Sequence, residues 1–339
     1  MKNNKVLGLQ QLGPQWTMDS PFLFCAHHND KYPKANEEMG PAVSLSGRNI
    51  GSDFSGKDGF NMYHGTKVPG FPAHPHRGFE TVTVVLNGFV DHFDSSGANG
   101  RYGNGDVQWL TTGNGCQHSE MFPLLNTDRE NPIELFQIWL NLPAADKKAK
   151  PHYKMFWNED IPETDIKDNT EKNTHIRLIA GNIHGVQSLA PAPDSWANNP
   201  DNHVRILLIQ MERNASFTLP AVSESVSRNL YFYQGKGSIS IDGLTIKSSN
   251  RIKLNGNADI EIINGDAESY FLLLEGEPIR ENVVQYGPFV MNTKEEIQQA
   301  IYEYQQTEYG GWPWDRADVV HSRNTKRFAK YSNGHEEHR

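Results

Sequence analysis

The sequence is poor in cysteine, with Cys25 and Cys116 alone among 339 residues. Two thiols cannot build a disulfide framework, which excludes a small stapled scaffold and agrees with a reducing compartment. Net positive charge is missing as well. Asp and Glu number 41 against 32 Lys and Arg, a formal charge of −9, so a nucleic-acid backbone would meet a repulsive field. The basic residues near the end, in HSRNTKRFAKY, are scattered and form no patch. Long apolar runs are absent too. No segment approaches the ~18 uninterrupted apolar residues of a spanning helix, and MKNNKVLGLQQLGPQW has no apolar stretch behind its lysines. These absences lead to the expectation of a cytoplasmic protein with neither a membrane nor a nucleic acid as direct partner.

What the chain does have is turn residues, 29 glycines and 19 prolines spread along its whole length. Frequent turns between short strands predict an all-β fold. FETVTVVLNGFVDHFD is β-branched and aromatic on both sides of Asn87-Gly88 and reads as a hairpin, and Asp242-Gly243 repeats that pattern. GDVQWL and IELFQIWLNL read as further strands. The polar stretch 151–174 reads as a linker between an N-terminal domain, 1–150, and a second β-rich domain, 175–310. Two successions of strands with similar turns predict tandem β-barrels. In NTKEEIQQAIYEYQQ, Thr293 and Glu296 are spaced as a capping box, and Ile297, Ala300, Ile301 and Tyr304 recur at helical spacing, which predicts a helix over about 293–306. Residues 311–339 are polar and read as a tail, loose from about 320.

The chemistry lies in HPHRGFET. In a strand, His74 and His76 point the same way, about 6.5–7 Å apart along the chain, and two imidazoles can converge on one ion. Pro75 favours an extended backbone at a strand end. GCQHSEMFP supplies His118 and Glu120 at the same spacing. Two such pairs make a three-histidine, one-carboxylate site of the kind that suits Fe(II), Mn, Ni or Cu. Glu80 shares the parity of the histidines and is an alternative acidic ligand. His27, His28, His64 and His92 lack comparable spacing and read as structural or solvent-facing. Sliding the second half along the first so that Gly235 meets Gly88 puts Ala221, Ser223, Gly265 and Ala267 at the four ligand positions. One metal per chain, in the N-terminal barrel, is expected.

With GFPAHPHRGFETVTVVLNG, DSSGANGRYGNGDVQWLTTGNGCQHSEMFP and GEPIRENVVQYGPFVMNTKEEIQQAIYEYQ, the sequence resembles the pirins, a family of the bicupin superfamily, over residues 5–310. The resemblance implies two antiparallel cupin barrels with a short C-terminal helix. It also implies iron in the first barrel alone, held by His74, His76, His118 and Glu120. It implies a quercetin 2,3-dioxygenase-type activity that cleaves a flavonol with dioxygen and releases carbon monoxide, Glu120 doubling as general base. An alternative implication is an iron-dependent, redox-sensing regulator that binds a transcription factor or a metabolic enzyme. Two departures stand out. The stretch 34–60 is longer than in short pirins and is expected to form a flap beside the site. Cys116 replaces an aliphatic residue with the parity of His118, either as a thiol near the metal or as a small buried hydrophobe.

Overall fold

The computed structural model describes residues 5–339. It is a mostly-β chain with two cupin-type domains, and its backbone contacts divide it into two compact units. These do not follow chain order. One unit joins the segment ending at Cys25 with Glu159–Arg280; the other joins Ala26–Asn158 with Glu281–Arg339. The expected boundaries therefore differ from the observed ones at both ends. Strand Val6–Gln11 hydrogen-bonds to strand Asn250–Leu254, whereas the C-terminal helix and everything after it belong with the histidines.

The expected linker is not a linker. His152–Phe156 pairs with Val107–Thr111, and Glu163–Lys167 pairs with Asn173–Ala180. Its charges are cross-strand partners: Asp165 lies 3.0 Å from His175 and Glu163 3.6 Å from Arg177, which stabilises an edge strand that carries little apolar surface. Nor is the C-terminus loose. Strand Phe328–Lys330 pairs with Asn99–Gly103, and the carbonyls of His321, Ser322, Arg323 and Thr325 accept hydrogen bonds from the buried Arg101 guanidinium. The ordering is done by backbone atoms, which composition does not reveal.

In the unit without the histidine pairs, a seven-stranded and a four-stranded sheet hold an aliphatic core that includes Leu178, Leu207, Ile209, Leu230, Ile252 and Phe271. Asp242 and Gly243 both have positive φ and close the hairpin Ser238–Ile241/Leu244–Lys247, as expected. In the histidine-bearing unit, one sheet contains His152–Phe156, Val107–Thr111, Phe79–Asn87 and Asn131–Asn141, in that order. The other contains Phe328–Lys330, Asn99–Gly103, Phe89–Asp94, Cys116–Met121 and Gly70–His76. Asn87-Gly88 is thus not a hairpin. It carries the chain from one sheet to the other: Gly88 alone has positive φ, and a Cβ there would come 2.9 Å from the Pro132 carbonyl. The predicted helix is present as Lys294–Thr307, with Thr293 and Glu296 forming the capping box. Its Ile297 and Ala300 pack on Phe289 and Met291.

Candidate metal centre

Gly70–His76 is the last strand of its sheet and runs antiparallel to Cys116–Met121. An edge position tolerates Pro75, which has no N–H to donate. His74 stands opposite His118 and His76 opposite Cys116, while a bulge brings Phe71 opposite Glu120. Opposed residues of an antiparallel pair share a face, and so do residues two apart. The two sequence pairs therefore converge. One nitrogen from each of His74, His76 and His118 lies within 4.8 Å of the others, and among the described residues this is the one His/Cys/Asp/Glu group that satisfies that geometry.

The Nε2 atoms of His74 and His76 are 3.1 Å apart, and the His118 ring centroid lies 4.5 Å from that of His74 and 5.0 Å from that of His76. His74 Nδ1 lies 2.9 Å from the Pro72 carbonyl and donates its hydrogen to it, which leaves the Nε2 lone pair free for a metal. Burial disfavours the charged imidazoles, pushing His74 down to about 4 and His76 and His118 well below the ordinary value. All three are neutral near pH 7, the form that ligates metal. Both ring nitrogens of His118 are buried without a hydrogen-bond partner. Buried polar atoms are seldom left so, and a cation held by the three rings would satisfy one of them. The residues fit a metal ion.

Glu120 lies beside the trio rather than within its tight nitrogen cluster: its Oε2 is 3.7 Å from His118 Nε2, and its Oε1 accepts from Thr83 Oγ1 at 3.0 Å. Burial raises the proton affinity of this carboxyl. Glu80 is elsewhere. Its Oε1 accepts from Trp109 Nε1 and Thr111 Oγ1, at 3.0 and 2.7 Å, and it is three residues from Thr83, hence on the opposite face of their strand. Parity counting from His76 fails because the strand ends there and Gly78, at φ +86°, turns the chain into the other sheet. Cys116 is a buried hydrophobe among Tyr102, Tyr153 and Ala329, its thiol pushed up by burial.

One neighbour escaped the sequence reading. His92 is fully buried, faces Glu120 across the register, lies 5.6 Å from the His118 ring, and stacks on Tyr153. Its parity with Asp94, which stands opposite His118, was available, but the hairpin reading assigned its strand to the wrong partner.

The scaffold behind the ligands is built from distant segments. A Cβ on Gly78 would come 2.0 Å from the Val290 carbonyl. Lys147 Nζ donates to the carbonyls of Gly78 and Val290 and to Asn141 Oδ1. Arg77 pairs with Glu303 of the helix and donates to Asn114 Oδ1 at 2.8 Å. Around the trio, Phe79 and Trp139 lie 5.1 and 5.3 Å from His76, and Phe71 lies 6.4 Å from His74. The 34–60 stretch reaches this wall: Phe54 packs on Tyr63 and His64, which both contact Phe71. A separate cleft of about 510 Å³ lies near Asn87–Phe89 and Arg129–Ile133, and none of the clustered histidines lines it.

Comparison with known proteins agrees with this architecture. Residues 6–140 match the Pirin family and residues 206–310 match the Pirin C-terminal cupin domain. A pirin-like protein of Solanum lycopersicum is 36% identical over 238 residues, covering 70% of this chain and 75% of the relative. Human pirin is 33% identical over 255 residues, covering 74% and 81%. The crystal structure of a quercetin 2,3-dioxygenase from Acinetobacter baumannii superposes with a TM-score of 0.70 at 25% identity, covering 91% of this chain and 98% of that one. Two matched domains, and a histidine cluster in the first of them, lead to one conclusion: this chain belongs to the pirin family.

Proposed function

We propose that the protein is a metal-dependent dioxygenase of the quercetin 2,3-dioxygenase type, acting on a flavonol and dioxygen and releasing carbon monoxide. His74, His76, His118 and Glu120 hold one Fe(II) per chain in this reading. The observation that carries it is the convergence of three neutral imidazoles, one with both nitrogens orphaned, beside a buried carboxylate. A bound ion supplies Lewis acidity that makes an enolic hydroxyl ionisable near neutral pH.

The chain's own residues do the rest. Glu120 keeps Oε1 on Thr83, and its Oε2, which lies 3.7 Å from His118 Nε2, would be the atom that holds the ion and, on shifting, accepts the 3-hydroxyl proton. Its raised proton affinity brings it nearer the operating pH, where a general base is most effective. Phe71 and Trp139, both partly exposed, offer flat apolar surface against which a planar ring system can be seated and water excluded, and the fully buried Phe79 packs on Trp139. The relative named as a quercetin 2,3-dioxygenase supports this reading; relatives named simply pirin carry no activity in their names.

The test is quercetin-dependent dioxygen uptake with carbon monoxide detection, using protein of measured iron content beside His76→Ala and Glu120→Gln. The expected result is turnover in the wild type, loss of iron in His76→Ala, and loss of turnover with iron retained in Glu120→Gln. A folded, iron-replete wild type that consumes no dioxygen with quercetin would overturn the assignment. A partner-binding role that tracks iron redox state and is indifferent to Glu120→Gln would then be the better account.

A further inference from the structure

Beyond the metal ligands, the same unit holds a buried hydrogen-bonded chain that none of the roles above uses. Asp30 accepts three hydrogen bonds: from the backbone N–H and side-chain amide of Asn61 at 2.8 and 2.9 Å, and from the Tyr63 hydroxyl at 2.6 Å. Burial raises the proton affinity of Asp30, while the hydrogen bonds from Tyr63 and Asn61 favour its ionised form, in which it is an acceptor only. Tyr63 has one proton, and it goes to Asp30. His28 Nδ1 lies 2.7 Å from the Tyr63 oxygen, so this nitrogen carries the ring hydrogen and donates it. The other nitrogen, Nε2, is then an unprotonated acceptor. Among the described residues no group hydrogen-bonds to it, and the ring is half-buried rather than sealed. Burial pushes His28 down to about 4, which keeps it neutral.

Its position relates it to the histidine trio. The His28 ring stands edge-on to Tyr63 at 4.8 Å and lies 5.8 Å from Phe71, whose ring is 6.4 Å from His74. Phe71 is thus a shared neighbour of the His28 and His74 rings. Tyr63 is itself held in an unfavourable backbone state, φ +56°, which a bulky residue adopts only where its surroundings impose it. Those surroundings are reciprocal backbone hydrogen bonds with Asp53, which in turn is paired with the buried Arg48 at 2.8 Å. The 34–60 stretch is therefore what places the Tyr63 hydroxyl beneath His28.

We infer that His28 is a substrate-binding residue, its Nε2 accepting a hydrogen bond from a hydroxyl at the end of a planar phenolic substrate remote from the metal. Asp30 and Tyr63 are positioning residues that set the tautomer. The inference rests on the flavonol reading of the site and names which part of such a molecule the chain selects.

The test is an anaerobic titration of iron-loaded protein with two flavonols, one hydroxylated on the ring remote from the 3-hydroxyl and one lacking those hydroxyls, read by the flavonol absorption band. Wild type is expected to favour the hydroxylated ligand about tenfold, the worth of one hydrogen bond to a preset acceptor. His28→Phe, which keeps a ring in place, is expected to erase that preference while still binding the ligand that lacks the hydroxyls. Tyr63→Phe, with the tautomer released, is expected to shrink it. Because the readout is a ratio between two ligands on one protein, partial misfolding of a variant cancels. An unchanged preference in His28→Phe overturns the inference and leaves the dioxygenase reading standing. Failure of the wild type to bind either flavonol overturns both.

Discussion

Arg101 is the buried residue whose loss has the most readily worked consequence. Its guanidinium is fully buried and uses both edges. Nε and one terminal nitrogen bind the two oxygens of Asp91 at 2.6 and 2.8 Å, and the terminal nitrogens also reach the carbonyls of His321, Ser322, Arg323 and Thr325. Asp91 is likewise fully buried and otherwise accepts from the His321 N–H. Arg101→Met leaves that carboxylate without its cation, which costs about 3–5 kcal/mol. It also leaves the 321–325 carbonyls without their donor. Adding Asp91→Leu removes the stranded charge but not the stranded carbonyls, so the double variant regains roughly half of the loss. Five of the seven tryptophans, at 109, 139, 157, 312 and 314, lie in this unit. Urea unfolding followed by tryptophan fluorescence therefore reports mainly on it. Trypsin should also cut faster after Arg323 and Lys326 in Arg101→Met. A loss below about 1 kcal/mol with unchanged cleavage would refute the claim that this guanidinium fastens the C-terminal segment.

Two further outcomes follow from the scaffold behind the histidines. Lys147 is held down to about 8 by burial, against 10.5 when free. Between those values the unfolded chain binds a proton that the folded one does not, so stability rises with pH across the window, by ~3 kcal/mol at most. Urea midpoints of wild type measured against Lys147→Met should diverge in favour of wild type from pH 8 upward, and a flat difference would contradict the assignment. Gly78→Ala drives a methyl group onto the Val290 carbonyl at a positive φ, at a cost of about 3 kcal/mol or more. Metal content measured on the refolded variant should fall with stability, since Gly78 is two residues from His76.

Features whose causes are local were legible in the sequence. The capping box at Thr293 and the Asp242-Gly243 hairpin involve neighbouring residues only, and both are present. The histidine trio was legible because period-two spacing survives wherever a strand forms, and both segments are strands. Asn87-Gly88 has the same local chemistry as Asp242-Gly243 but closes no hairpin, because Gly88 lies under the Pro132 carbonyl, a contact more than forty residues away. That one difference also hid His92, whose strand belongs beside Cys116–Met121. Glu80 stands as an alternative ligand in the sequence for a related reason: a parity count from His76 crosses Gly78, which turns the chain into the other sheet. The C-terminal segment looked loose because its order comes from Arg101, more than two hundred residues earlier. His28 and Asp30 do share period-two spacing on one strand, but the Tyr63 hydroxyl that links them comes from 35 residues beyond His28, which spacing does not reveal.

The central claim is that His74, His76 and His118, together with Glu120, hold a single metal ion. It is tested most directly by metal analysis of the purified full-length protein after iron loading, beside His118→Ala and the control His175→Ala, whose ring lies in the other unit against Asp165. The account predicts one metal per chain in wild type and in His175→Ala, and none above background in a folded His118→Ala. Retention of the metal by folded His118→Ala would contradict it.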